Sequence, residues 1–108
     1  RPRTERYYER RITLAEIENQ MNDVLRGAER SAFIEKNREY VNLMPMMKGS
    51  EKRLRNLRKR LKNIRALRDI TPARSLELAR LEEEIQTQID ETMNKFNKRY
   101  DDVIGKNK

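Results

Sequence analysis

Two acidic runs, Glu82–Glu83–Glu84 and Asp101–Asp102, are where metal binding or acid–base chemistry would first be sought in this sequence. Neither is arranged for it. Neighbouring residues on a helix point in different directions, and the chain has no His and no Cys to complete a ligand set or supply the commonest general base. Both runs read as solvated charged faces. With no glycine-rich phosphate loop and no nucleophile–base arrangement, no enzymatic activity, metal or cofactor is expected. The other chemistry-bearing stretch is basic. From Lys48 to Arg68 there are ten Lys or Arg and a single acid, Glu51, so this stretch holds the whole positive excess of a chain whose net charge is +8. Arg55, Arg58, Lys59, Lys62 and Arg65 are the candidates for phosphate contact, of the salt-sensitive kind that does not select bases.

These residues are positioned by an expected helical hairpin. Leu54, Leu57, Leu61 and Ile64 step by three and four, so they share one helix face between the cations. Asp69, Ile70, Thr71 and Pro72 interrupt the pattern. Thr71 suits an N-cap, and Pro72 suits a first helical position, where its missing N–H costs nothing. Leu78, Leu81 and Ile85 then restart an apolar stripe. A short connection between two helices favours an antiparallel pair, with those seven residues as its seam. Folding about Ile70 places Glu77 near Arg65 and Glu82–Glu84 near Leu57–Arg60. Those acids would neutralise part of the basic face, and a structural role for the face is therefore preferred over dedicated nucleic-acid binding.

The lengths of the two arms matter. A basic helix from Ser50 to about Asp69 is about 28 Å long, and a last helix from Pro72 to about Ile104 is about 50 Å long. The shorter arm covers the longer only to about Ile89. Met93, Phe96, Tyr100 and Val103 overhang, and exposure of each forfeits about 1.5–3 kcal/mol of burial. They are the candidates for contact with a partner, which either the N-terminal helices or a neighbouring subunit can supply.

Upstream, two helices are expected over about 13–26 and 28–44, so that residues 1–47 form an N-terminal helical part and 48–108 the hairpin. Thr13 and Glu16 have capping-box spacing, and Ile12 and Ile17 are placed for a hydrophobic staple; Thr4 is an alternative, earlier start. Leu14, Ile17, Met21, Val24 and Leu25 form the expected buried face, and Gly27 ends the helix in a left-handed conformation. Pro45 ends the second helix, because the residue before proline avoids the helical region. Met44, Met46 and Met47 around it read as fillers of an irregular core gap rather than as a docking surface. Tyr7 and Tyr8 read as packing aromatics, since a base-stacking platform needs further rings.

Composition agrees with an all-α extended segment of about four helices. Hydrophobic residues are 35% and charged residues 41% of 108 residues, a ratio suited to helices that each bury only a stripe. No run of about 18 apolar residues marks a spanning helix. The chain begins at Arg1 rather than Met, as expected of a processed chain or a piece of a longer one.

The order of these joints resembles a known family. Tyr7–Tyr8–Glu9 in a basic setting is followed by RGAERSAF (26–33), EKNREYVNL (35–43), EKRLRNLRKRLKNIRALRD (51–69), ITPARSLELARLEEEIQ (70–86) and NKFNKRYDD (94–102). This resembles the C-terminal helical region of large bacteriophage polyvalent proteins and of the internal virion, or ejection, proteins of short-tailed phages. Ala73-Arg74-Ser75 stands where that pattern has acids and a Lys. The resemblance implies a virion protein held inside the capsid near the portal and delivered to the host cell with the DNA. Its partners would be other virion core or portal proteins, or further copies of itself, with non-specific DNA contact besides. The parents often carry a murein-degrading domain elsewhere. The alternative from the residues themselves is a small basic helical nucleic-acid-binding protein using the 52–68 helix.

Overall fold

The computed structural model describes residues 3–67 and 71–105. All of its regular structure is helical: α1 (Arg3–Asn19), a π-helical turn (Gln20–Val24), α2 (Gly27–Lys36), α3 (Arg38–Ala66) and α4 (Pro72–Ile104). The fold is all-α, elongated at 63 × 28 × 19 Å, and built on an α3–α4 antiparallel pair. Its sense is fixed by Arg53 reaching Gln88 (3.4 Å) and Arg65 reaching Glu82 (2.7 Å). α1 lies along one flank of this pair, antiparallel to α3 and parallel to α4. Tyr7 meets Glu51, Lys48 meets Glu18, and Arg10 meets Asn97 and Asp101.

The start of α4 forms as its residues dictate. Thr71 Oγ1 accepts from the Arg74 N–H at 3.1 Å, and Pro72 opens the helix. Asp69 and Ile70, expected in the turn, lie outside the described residues. Of the expected seam, Leu54, Leu57, Leu61, Leu78 and Ile85 are buried and Ile64 is half-buried. Leu81 departs from expectation, at 38% exposed. It shares a helical row with Gln88, on the side of α4 facing Arg53, whereas α1 packs beside Gln86, Asp90 and Met93. A helix pair has two flanks and α1 fills only the other one.

The largest difference concerns Pro45. It does not end a helix. α3 runs through it for 29 residues, so the expected boundary between 47 and 48 falls inside one helix. An interior proline forfeits a hydrogen bond and crowds the preceding turn, at about 3 kcal/mol. Burial of its neighbours Leu43, Met44 and Met47, worth about 1.5–3 kcal/mol each, exceeds that. The helical path breaks instead at Asn37, whose φ of −109° and ψ of 24° separate α2 from α3 and whose Nδ2 donates to the Phe33 carbonyl at 2.9 Å. Lengthening α3 by about 12 residues adds about 18 Å and removes the overhang. Met93 and Phe96 are buried at 3% and 0% exposure, and Tyr100 and Val103 pack half-buried against the same core. The expected partner contacts are thus made inside the chain.

The N-terminal region starts earlier than its capping box. α1 already runs from Arg3, so Thr13 lies mid-helix and its hydroxyl donates to the Glu9 carbonyl at 3.1 Å. Ile12 is 56% exposed and staples nothing. Leu14 and Met21 are buried as expected, but the wider π turn shifts the helical phase of its own last residues, and Val24 is exposed. Gly27 does take the left-handed conformation, φ 57°, and from it α2 departs. Arg30 Nε donates to the Met21 carbonyl at 2.7 Å, tying the two sides of this joint together.

Candidate functional site

Two places concentrate side-chain chemistry: a polar–aromatic cluster where α1 meets α4, and the outer face of α3.

The cluster is built around Tyr7, which has no exposed surface and stands edge-on to Phe96 (5.6 Å) and Tyr8 (5.3 Å). Its hydroxyl donates to Glu51 Oε2 at 2.5 Å and rests 3.7 Å from Met47 Sδ. Burial pushes the hydroxyl well above the ordinary tyrosine range, and the hydrogen bond to Glu51 and its negative charge push further. Arg11 holds the other carboxylate oxygen of Glu51 at 2.9 Å. One helical turn from Tyr7, Arg10 lies over the Tyr100 ring at 4.4 Å. It donates to the Asn97 carbonyl and Oδ1 (3.1 Å each) and to Asp101 Oδ1 (2.6 Å). Buried Asn97 returns a hydrogen bond to the Arg3 carbonyl at 3.0 Å. Tyr100 is also raised in pKa, first by burial and then by neighbouring Tyr40. No buried side-chain nitrogen or oxygen among the described residues lacks a partner. The cluster is a satisfied lock between helices.

Arg10 and Asn97 were not among the expected functional residues, because a polar residue among other polar and charged ones gives no periodic signal. The spacing of Tyr7, Leu14 and Met21, seven residues apart and all buried, is the signal that could have placed α1 in the core. Among the described residues, no three acidic, His or Cys side chains gather to hold a metal. Glu82–Glu84 and Asp101–Asp102 divide between ion pairs and solvent.

The second place is different in kind. Residues 52–67 of α3 and its C-terminal edge carry eight Lys or Arg and no acid. Three of the eight are engaged: Arg53 with Gln88, Arg58 with the Tyr8 hydroxyl and ring, and Arg65 with Glu82. The other five, Lys52, Arg55, Lys59, Arg60 and Lys62, are exposed and make no ion pair among the described residues. Lys52, Arg55, Lys59 and Lys62 follow one another at steps of three and four, a single row along the helix. Of the candidates for phosphate contact, Arg55, Lys59 and Lys62 are therefore free, while Arg58 and Arg65 are held.

The expected neutralisation by α4 mostly fails. Glu82, which lies between seam residues Leu78 and Ile85, reaches Arg65 across the pair. Glu77 instead pairs with Arg74 on its own helix, at 3.5 Å. Glu83 and Glu84 are exposed, because each step of one residue along a helix turns a side chain about 100° away from the seam. An open groove of about 490 Å³ between α1 and α3 adjoins the cationic row at Lys52 and Arg55. Its walls carry the Arg11–Glu51 and Lys48–Glu18 pairs, each 2.9 Å.

No family model, curated protein or solved structure matches the chain. No helix among the described residues is long and apolar enough to cross a membrane.

Proposed function

We propose that the chain is a non-enzymatic assembly segment of a phage internal virion (ejection) or large polyvalent protein. In this reading it works inside the capsid near the portal, among core or portal proteins or further copies of itself, and leaves with the DNA. The observation that supports it most is the position of the residues carrying the resemblance. RGAERSAF spans the left-handed Gly27 joint, EKNREYVNL spans the Asn37 break, and the Thr71–Pro72 step caps α4. A pattern that falls on joints and core positions is one that specifies an architecture. Docking surface then moves from Met93, Phe96 and Tyr100, which are used internally, to the far end of the hairpin. There Leu67, Leu76 and Leu81 are 46%, 66% and 38% exposed.

Mass spectrometry of purified particles of the encoding phage tests the reading. Peptides of α3 and α4 should survive protease treatment of intact particles and be lost from particles that have ejected their DNA. Their absence from intact particles would exclude it.

A further inference from the structure

We infer that the outer face of α3 binds the phosphodiester backbone of double-stranded nucleic acid, without selecting bases. Lys52, Arg55, Lys59, Arg60 and Lys62 are exposed and free of ion pairs among the described residues, and they span about 15 Å of one helix. Asn56 lies between them and Asn63 directly follows Lys62, both exposed, as neutral donors for the same oxygens. The field is one-sided. α4 carries five Lys or Arg against eight acids, and α1 carries four of each, so an approaching polyanion is attracted to α3 and repelled by the mixed and acidic faces.

Three further features favour nucleic acid over other anions. The face holds no exposed apolar side chain between Lys52 and Asn63, because Leu54, Leu57 and Leu61 are buried in the seam; an interfacial membrane helix must bury an apolar face among the lipids. It also holds no aromatic ring, since the nearest, Tyr8, is taken by Arg58 and Tyr7. A single-strand-binding groove depends on such rings, so a duplex is the better fit. Finally, four of the five cations, Lys52, Arg55, Lys59 and Lys62, follow one helical row, with only the first two beside the groove, which suits a linear polyphosphate and not a small anion. None of this depends on the chain being a virion component.

Binding of a short random-sequence DNA duplex, followed by fluorescence anisotropy across salt, decides the matter. Neutralising three to four phosphates gives a slope of log K against log salt of about −2.7 to −3.6, a loss of roughly 40- to 150-fold between about 50 and 200 mM salt. Replacing Lys52, Arg55, Lys59, Arg60 and Lys62 together by Gln should abolish binding while helix content by circular dichroism is unchanged. Arg80→Gln with Arg99→Gln on α4 should leave the slope intact. A slope unaltered by the five changes, or tighter binding to phosphatidylserine vesicles than to duplex, would overturn the inference. Should the five-residue variant lose its helix, lysine acetylation of the unaltered chain gives the same decision. Duplex should protect Lys52, Lys59 and Lys62 and not Lys36, Lys95 or Lys98, and the reverse pattern refutes the assignment.

Discussion

The two ends of the α3–α4 pair use similar residues to different effect. At the base, where α1 fills one flank, Tyr7, Leu14, Leu43, Met47, Leu54, Met93 and Phe96 are all at or below 7% exposure. The rings of Tyr7, Phe96, Tyr100 and Tyr40 follow one another at centroid distances of 5.6–6.2 Å across three helices. At the tip, beyond α1, there are only two helices. Leu78 is buried there, but Leu67, Leu76 and Leu81 are exposed, and Ile64 nearby is only half-buried. Two helices bury one stripe each, whereas a third converts the stripe into a core. The base is therefore where this chain holds itself together, and the tip and the outer face of α3 are its exposed apolar and cationic surfaces.

That contrast can be broken at several strengths. Phe96→Ala removes a fully buried ring from the base and should cost about 3–5 kcal/mol, a large share of the stability of a domain of this size. Urea denaturation checks it, and a loss below about 1 kcal/mol would mean the base is not the folding unit. Alkaline pH gives the next effect. Tyr7 and Tyr100 are raised above the ordinary value of 10.0 in the folded chain, so both bind their protons more tightly folded than unfolded. Their contribution is complete below about pH 10 and is lost as the pH rises beyond it, at about 1.4 kcal/mol per pH unit for each tyrosine still held neutral. Tyr7→Phe should flatten this dependence in urea melts taken above about pH 10. The smallest effect belongs to the tip. Leu81→Ala should cost below about 1 kcal/mol, because the side chain is already 38% exposed. A loss of the size expected for Phe96→Ala would erase the distinction between the two ends.

Much of the fold was legible because periodicity and capping are local. The leucine seam, the Thr71–Pro72 start of α4 and the packing role of Tyr7 follow from residues within a turn or two of one another. Pro45 was not legible, since its local preference to stop a helix is outweighed by burial of Leu43, Met44 and Met47, the two methionines beside α1 residues about 30–40 positions away. From that one position came the apparent overhang of Met93, Phe96, Tyr100 and Val103. Thr13 failed similarly, its capping signal made irrelevant by a helix that begins at Arg3. The basic face was visible as composition. Which cations are free depended on side-chain direction, because Glu83 and Glu84 turn away from the seam while Glu82 reaches across it.

Hydrogen exchange on the isolated chain, resolved by residue and accompanied by a mass measurement in solution, tests the division between base and tip most directly. A monomer is expected, with the slowest exchange at residues 43–58 and 89–104, Phe96 among them, and markedly faster exchange at 62–67 and 74–82. Fast exchange around Phe96 in the monomer, or protection there only when the chain self-associates, would contradict it.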